Sequence, residues 1–159
     1  MGQVVDTHSL QRILAAAKKN GRRIAFANGH FDLLHVGHLR YLAAARQEGD
    51  LLVVAINDDP SVEALKGPGR PIVPAAERAE LLAALNPVDY VVIFDGNSPG
   101  PLLAELQPDV HCKGPDYERP EKVPEFAVVQ SYGGRTALVG DPKDHNTSDL
   151  ISLVKGLPD

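Results

Sequence analysis

The chain has 159 residues, 43% of them hydrophobic and 5% aromatic, with a formal net charge of −5 and a sequence pI near 5.6. This length suits one domain with its own core, and the aliphatic composition argues against disorder as the overall state. The acidic balance excludes a clamp on long nucleic acid, which needs a basic surface to displace counterions, but leaves room for a small anionic ligand in a local basic pocket.

In chain order, Ser9 to Lys19 reads as a helix closed by Asn20-Gly21, and Arg23 to Ala27 as a short buried strand. Val36 to Gln47 repeats apolar residues at helical spacing and stops at Gly49. Asp50 to Ile56 is a nearly continuous apolar run, the pattern of a strand covered on both faces. Pro74 to Leu85 then reads as a helix, Tyr90 to Phe94 as a strand and Pro101 to Leu106 as a helix. Val110 to Lys113 (strand), Val123 to Tyr132 (helix), Thr136 to Val139 (strand) and Ser148 to Lys155 (helix) complete the pattern. Strands alternating with helices imply βαβ crossovers. The expected fold is α/β, a Rossmann-like, doubly wound, mainly parallel five-stranded sheet in three α/β/α layers. One domain over residues 1–159 is expected.

The lone cysteine, Cys112, excludes an intramolecular disulfide, suits a reducing compartment and reads as a buried strand residue. The start MGQVVDTHSLQRIL lacks the basic-then-apolar order of a signal peptide, and no apolar run reaches the ~20 residues that cross a bilayer. A cytoplasmic protein without membrane contact is expected.

In sheets of this kind ligands bind beyond the carboxyl ends of the strands, so residues just after strands carry the functional weight. The first predicted strand runs into Asn28-Gly29-His30-Phe31-Asp32-Leu33-Leu34-His35-Val36-Gly37-His38, where a helix begins. A helix start presents unpaired N–H groups and about half a positive charge, which suits an anion. His35 and His38 lie three apart on the same side of the first turn, and Gly37 leaves room for close approach. Two plainer readings compete: incidental surface histidines, or zinc ligands with His30. The HExxH pattern and a cysteine pair are both missing, so no protein metal site is expected.

Cations recur in the same places. Lys66 and Arg70 lie in KGPGRPIVP, a Gly/Pro-rich segment suited to closing over a triphosphate, and Arg78 follows in the next helix. Lys113 and Asp116 follow a strand, and Thr147-Ser148 opens the last helix. Singly, each also reads as a solvated charge, a surface ion pair or an ordinary cap. Their joint placement after successive strands favours a phosphate site.

These residues carry a resemblance. GHFDLLHVGH is similar to the GxFDxxHxGH signature of the cytidylyltransferase-like nucleotidyltransferase superfamily, with His35 to His38 as its HxGH element. Over nearly the whole chain the sequence most resembles the adenylyltransferases that make ADP-heptose from heptose 1-phosphate in lipopolysaccharide core synthesis. Ile56 to Asp59 resembles their N-S/D-D turn, and Lys66 to Pro71 with Glu77-Arg78 resembles their LKG-x-x-RP…ER block. Lys113 to Tyr117 resembles KGGDY, and Asn146 to Ile151 resembles STT-x-x-I. Pro115 stands where the family has glycine and removes a backbone donor; Asn146 stands in place of serine; His30 and His145 add imidazoles.

The resemblance implies transfer of an adenylyl group from ATP to a sugar 1-phosphate, with Mg²⁺ on the triphosphate and pyrophosphate released by direct displacement. On that reading His35, His38, Lys66 and Arg78 are catalytic, and Gly29, His30, Phe31, Gly37, Arg70, Asn146, Thr147 and Ser148 bind the nucleotide. Asp32, Asn57, Lys113 and Asp116 face the acceptor. A separate sugar kinase would supply the acceptor, and a homodimer is compatible. Two alternatives stay open: a CTP-dependent enzyme acting on glycerol 3-phosphate, which shares FDLLHxGH, and a nucleotide-binding module without turnover.

Overall fold

The computed structural model describes residues 1–142 and 144–158. Among these, six strands form one all-parallel sheet: β1 (Gln3–Val4), β2 (Ile24–Gly29), β3 (Leu51–Asn57), β4 (Tyr90–Phe94), β5 (Val110–Lys113) and β6 (Arg135–Leu138). Their order across the sheet is β1-β4-β3-β2-β5-β6. The helices are α1 (Thr7–Lys19), α2 (Val36–Arg46), α3 (Asp59–Lys66), α4 (Ala75–Ala83), α5 (Gly100–Leu106), α6 (Phe126–Ser131) and α7 (Thr147–Lys155). A 3₁₀ turn covers Pro120–Lys122.

The layers follow from the two-residue period of the strands. On one face Ala25, Ala27, Leu52, Val54, Ile56, Val110 and Cys112 pack with Leu42 and Ala45 of α2 and Ala79 and Leu82 of α4. On the other, Ile24, Phe26, Val53 and Ala55 pack with Leu10 and Leu14 of α1, Leu103 of α5 and Val129 of α6. Every residue of β3 is buried, which is why its sequence runs apolar without alternation. Each fully buried aliphatic side chain contributes about 1.5–3 kcal/mol.

The sequence reading needs two corrections. The sheet has six strands, not five: β1 pairs with β4 through Gln3↔Tyr90 and Val4↔Val91, and two exposed residues are too few to show a period. The segment after β3, to which the sequence reading gave no element, is a helix. Asp58 caps α3 by accepting from the Ser61 N–H, Pro60 occupies its first turn, and Val62 is buried. Gly67, at φ 93°, ends it in a conformation open to glycine. Lys66 therefore sits on a helix end, and only the residues beyond it form the loop.

From β2 the chain moves outward through β3 to β4, and from β5 it moves the other way to β6. The direction reverses between β2 and β5. The loops after these two strands diverge, opening a crevice at their carboxyl ends.

Candidate active site

A cleft of about 670 Å³ occupies that crevice. Its walls are the exit of β2, the first turns of α2, the exit of β5 and the segment leading into α7, with Lys66 and Arg70 at one side.

His35 is the N-cap of α2, with extended backbone (φ −143°, ψ 172°), and its side chain makes no capping hydrogen bond. The imidazole instead lies over Gly37, where an added Cβ would stand 3.0 Å from its Cε1 and Nδ1. His35 and His38 stack with ring centroids 3.8 Å apart and 24° between planes. The His38 ring rests on Phe31 at 5.0 Å, and Phe31 stacks on Tyr41 at 6.4 Å. Phe31 holds a left-handed backbone (φ 50°), uncommon for a bulky residue, and this turn places its ring under the histidines. The imidazoles are thus shelved on an aromatic support beside the N–H groups of the α2 start.

A second helix start faces the cleft. Asn146 caps α7: its Oδ1 accepts from the Asp149 N–H at 2.8 Å, and its Nδ2 donates to Asp149 Oδ2 at 2.6 Å. Thr147 and Ser148, in the first turn, line the cleft. Lys66 and Arg70 bring positive charge from one side, and Lys113, at the end of β5, from the other. Burial lowers the pKa of His30, and Lys66, Arg78 and Arg70 push it the same way, so its ring is neutral at pH 7.

The family model described as Cytidylyltransferase-like matches residues 26–145. The chain belongs to the cytidylyltransferase-like family. It is a nucleotidyltransferase. The bifunctional protein HldE of Geotalea uraniireducens (strain Rf4) is 49% identical over 153 residues, 96% of this chain and 31% of that protein. HldE of Methylobacillus flagellatus is 48% identical over 149 residues, 94% of the chain and 30% of that protein. The chain thus spans about a third of the length of these curated relatives. Among solved structures, a lipopolysaccharide core biosynthesis protein from Thermoplasma volcanium superposes with a TM-score of 0.64 at 25% identity, covering 77% of this chain and all of that one. Pantothenate synthetase from Thermus thermophilus shares the fold, with a TM-score of 0.61 at 16% identity over 86% of this chain and 61% of that one. No described helix is long and apolar enough to cross a membrane.

In this nucleotidyltransferase the cleft gathers His30, Phe31, Asp32, His35, His38, Lys66, Arg70, Lys113 and Asp116 with Gly29, Gly37 and Asn146 to Ser148. Two expected site residues lie elsewhere. Arg78 is fully buried in α4 and donates to Val73 O, His30 O, Asn57 O and Asp59 Oδ1 at 2.7 to 3.0 Å. It ties three segments together beneath the cleft and is not among the residues that line it. Asn57 is buried and donates from Nδ2 to Gly96 O at 2.8 Å, pinning the exit of β3 rather than facing an acceptor.

Asp32 lines the cleft, but its carboxylate is committed to the loop after α3. It accepts from Arg70 Nε at 2.8 Å, Ile72 N at 2.8 Å and Val73 N at 2.9 Å. Burial raises its pKa, but the Val73 and Ile72 N–H groups and Arg70 outweigh that and leave it below the usual carboxylate value. Sequence reasoning missed Asn28, Arg40, Tyr41 and Tyr117, which also line the cleft. Asn28 carried a signal in its place at a strand's carboxyl end, and Tyr117 in its place closing the KGGDY-like turn. Among the described residues no group of three or more His, Cys, Asp or Glu is arranged to hold a metal ion.

Proposed function

We propose that the chain transfers an adenylyl group from ATP to a sugar 1-phosphate of the heptose class, giving an ADP-sugar and pyrophosphate. The observation that carries this reading is the stacked His35–His38 pair at the start of α2, facing the start of α7 across one cleft. Two helix starts and the cations Lys66, Arg70 and Lys113 suit a ligand with several phosphates. The length of the resemblance to ADP-heptose-forming enzymes supports the choice of sugar.

The chemistry is a single displacement. A phosphate oxygen of the acceptor attacks the α-phosphorus of ATP, a P–O bond forms, and the bond to pyrophosphate breaks. The attacking oxygen is already anionic at neutral pH, so no general base is required. Catalysis comes from positioning and from donors aimed at the developing charge. His35 and His38 act at the α- and β-phosphates, Lys66 and Arg70 neutralise the triphosphate, and Thr147 and Ser148 donate from the α7 start. Lys113 and Asp116, on the β5 side, face the acceptor. Mg²⁺ fits this donor set as an ion carried by triphosphate oxygens and water, where it offsets their charge. A kinase reaction would supply the sugar phosphate.

Steady-state pyrophosphate release with ATP or CTP against heptose 1-phosphate and glycerol 3-phosphate tests the proposal. ATP with heptose 1-phosphate should exceed the CTP pairing by at least about tenfold in kcat/KM, worth ~1.4 kcal/mol. A preference for CTP with glycerol 3-phosphate would remove the substrate assignment and leave the reaction class.

A further inference from the structure

The turning point of the sheet holds a polar contact that the displacement chemistry does not use. His111, in the middle of β5, is fully buried, and its Nε2 lies 2.9 Å from Asn28 Oδ1. Asn28 is the penultimate residue of β2, is half-buried, and lines the cleft. The contact therefore spans β2 and β5, the two strands between which the chain changes direction.

A histidine in an otherwise apolar layer costs stability unless its polar atoms are used. Its ring packs edge-on against Phe26 at 5.9 Å, and burial, followed by the charge of Lys113, lowers its pKa to about 3. The ring is neutral at any pH at which the protein works, so it has one N–H. Nδ1 is buried with no hydrogen-bond partner among the described residues. A buried N–H without an acceptor is rarer and costlier than a bare acceptor. The proton therefore sits on Nε2 and is donated to Asn28 Oδ1. With its oxygen turned to the histidine, the Asn28 amide keeps Nδ2, a donor of two hydrogens, out of that contact, on a residue that lines the cleft.

We propose that Asn28 contacts a ligand phosphate oxygen through Nδ2 and that His111 is a positioning residue that locks this orientation from behind. The partner is an anionic oxygen because the neighbouring groups are Lys113 and the donors of the β2 exit. A phosphate of the nucleotide and that of the acceptor are the two sources of such an oxygen. The inference rests on the cleft being a phosphate site, but not on which sugar is used.

Equilibrium binding of ATP, CTP and heptose 1-phosphate, each measured alone by calorimetry, separates this proposal from the reaction itself. Wild type that binds a triphosphate without turnover would end the transfer reading and leave this one testable. Asn28→Asp keeps the acceptor for His111 but loses the amide donors; Asn28→Ala loses both without adding charge. Each should weaken either both triphosphates or the sugar phosphate by about tenfold, the scale of one hydrogen bond to a charged group. Loss of ATP and CTP binding together assigns the contact to the nucleotide, and loss of the sugar phosphate alone assigns it to the acceptor. His111→Leu should weaken the same ligand at least about threefold with Tm unchanged or raised, since an apolar side chain suits that layer. His111→Leu combined with Asn28→Ala should bind no worse than Asn28→Ala alone. Wild-type affinity in Asn28→Ala and Asn28→Asp overturns the contact. Wild-type affinity in His111→Leu, a loss that only tracks a fall in Tm, or additive losses in the double variant overturn the positioning role.

Discussion

His38 stands on Phe31 and against His35, so on the proposed mechanism truncating it removes one transition-state donor and leaves the shelf below intact. His38→Ala should lower kcat by about 10²–10³ and change ATP affinity far less. A single-turnover assay with parallel nucleotide binding measures both, and near wild-type kcat would take His38 out of the mechanism. His111 gives a prediction in pH. Its folded pKa, about 3, lies below the value near 6.5 of an unfolded histidine. The unfolded chain binds the extra proton between these values, so stability is fully present above pH 6.5 and falls as pH drops toward 3. The loss between pH 7 and 5 should be about 2 kcal/mol by urea denaturation. His111→Leu should flatten this slope; the same slope in both proteins would contradict the buried neutral ring.

At the scale of elements, the loop after α3 is tied down by Asp32, which accepts from Ile72 N, Val73 N and Arg70. Asp32→Ala strands two backbone donors and should cost about 1–3 kcal/mol. It should also speed hydrogen exchange at Ile72 and Val73 while leaving β3 protected. Unchanged exchange at those two amides would mean the loop is held otherwise. Arg78 is the companion tie, joining α4 to the exits of β2 and β3 and to Asp59. Arg78→Lys keeps the charge but loses the fork, leaves carbonyls it served without a donor, and should destabilise by about 1–3 kcal/mol in thermal unfolding. A variant of normal stability that fails only in triphosphate binding would return Arg78 to the phosphates. The sequence made the residues after strands legible, because ligand sites follow strand ends. It could not tell a charge facing the cleft from one folded back under it. Lys66 and Arg78 look alike in sequence, yet one lines the cleft and the other is wholly buried. Asn28 went unread because its use depends on a histidine 83 residues away.

Across the whole molecule, the βαβ alternation was legible because the continuous apolar run of β3 and the spacing of α1 and α2 report burial directly. β1 was not, since an edge strand of two exposed residues gains its place from β4 alone. The short α3 was signalled only by its Asp58-Asp59-Pro60 start. The topology gives the proposed mechanism its shape: strands diverging from β2 and β5 set two helix starts on one cleft, where an acceptor phosphate and the α-phosphorus can meet directly. The displacement should therefore occur once, directly on the α-phosphorus. The stereochemical course of transfer from ATP bearing a chiral thiophosphate at the α-position tests this most directly. Inversion at phosphorus in the ADP-sugar product is the predicted result; net retention would mean two displacements through a nucleotidyl-enzyme and would contradict direct transfer.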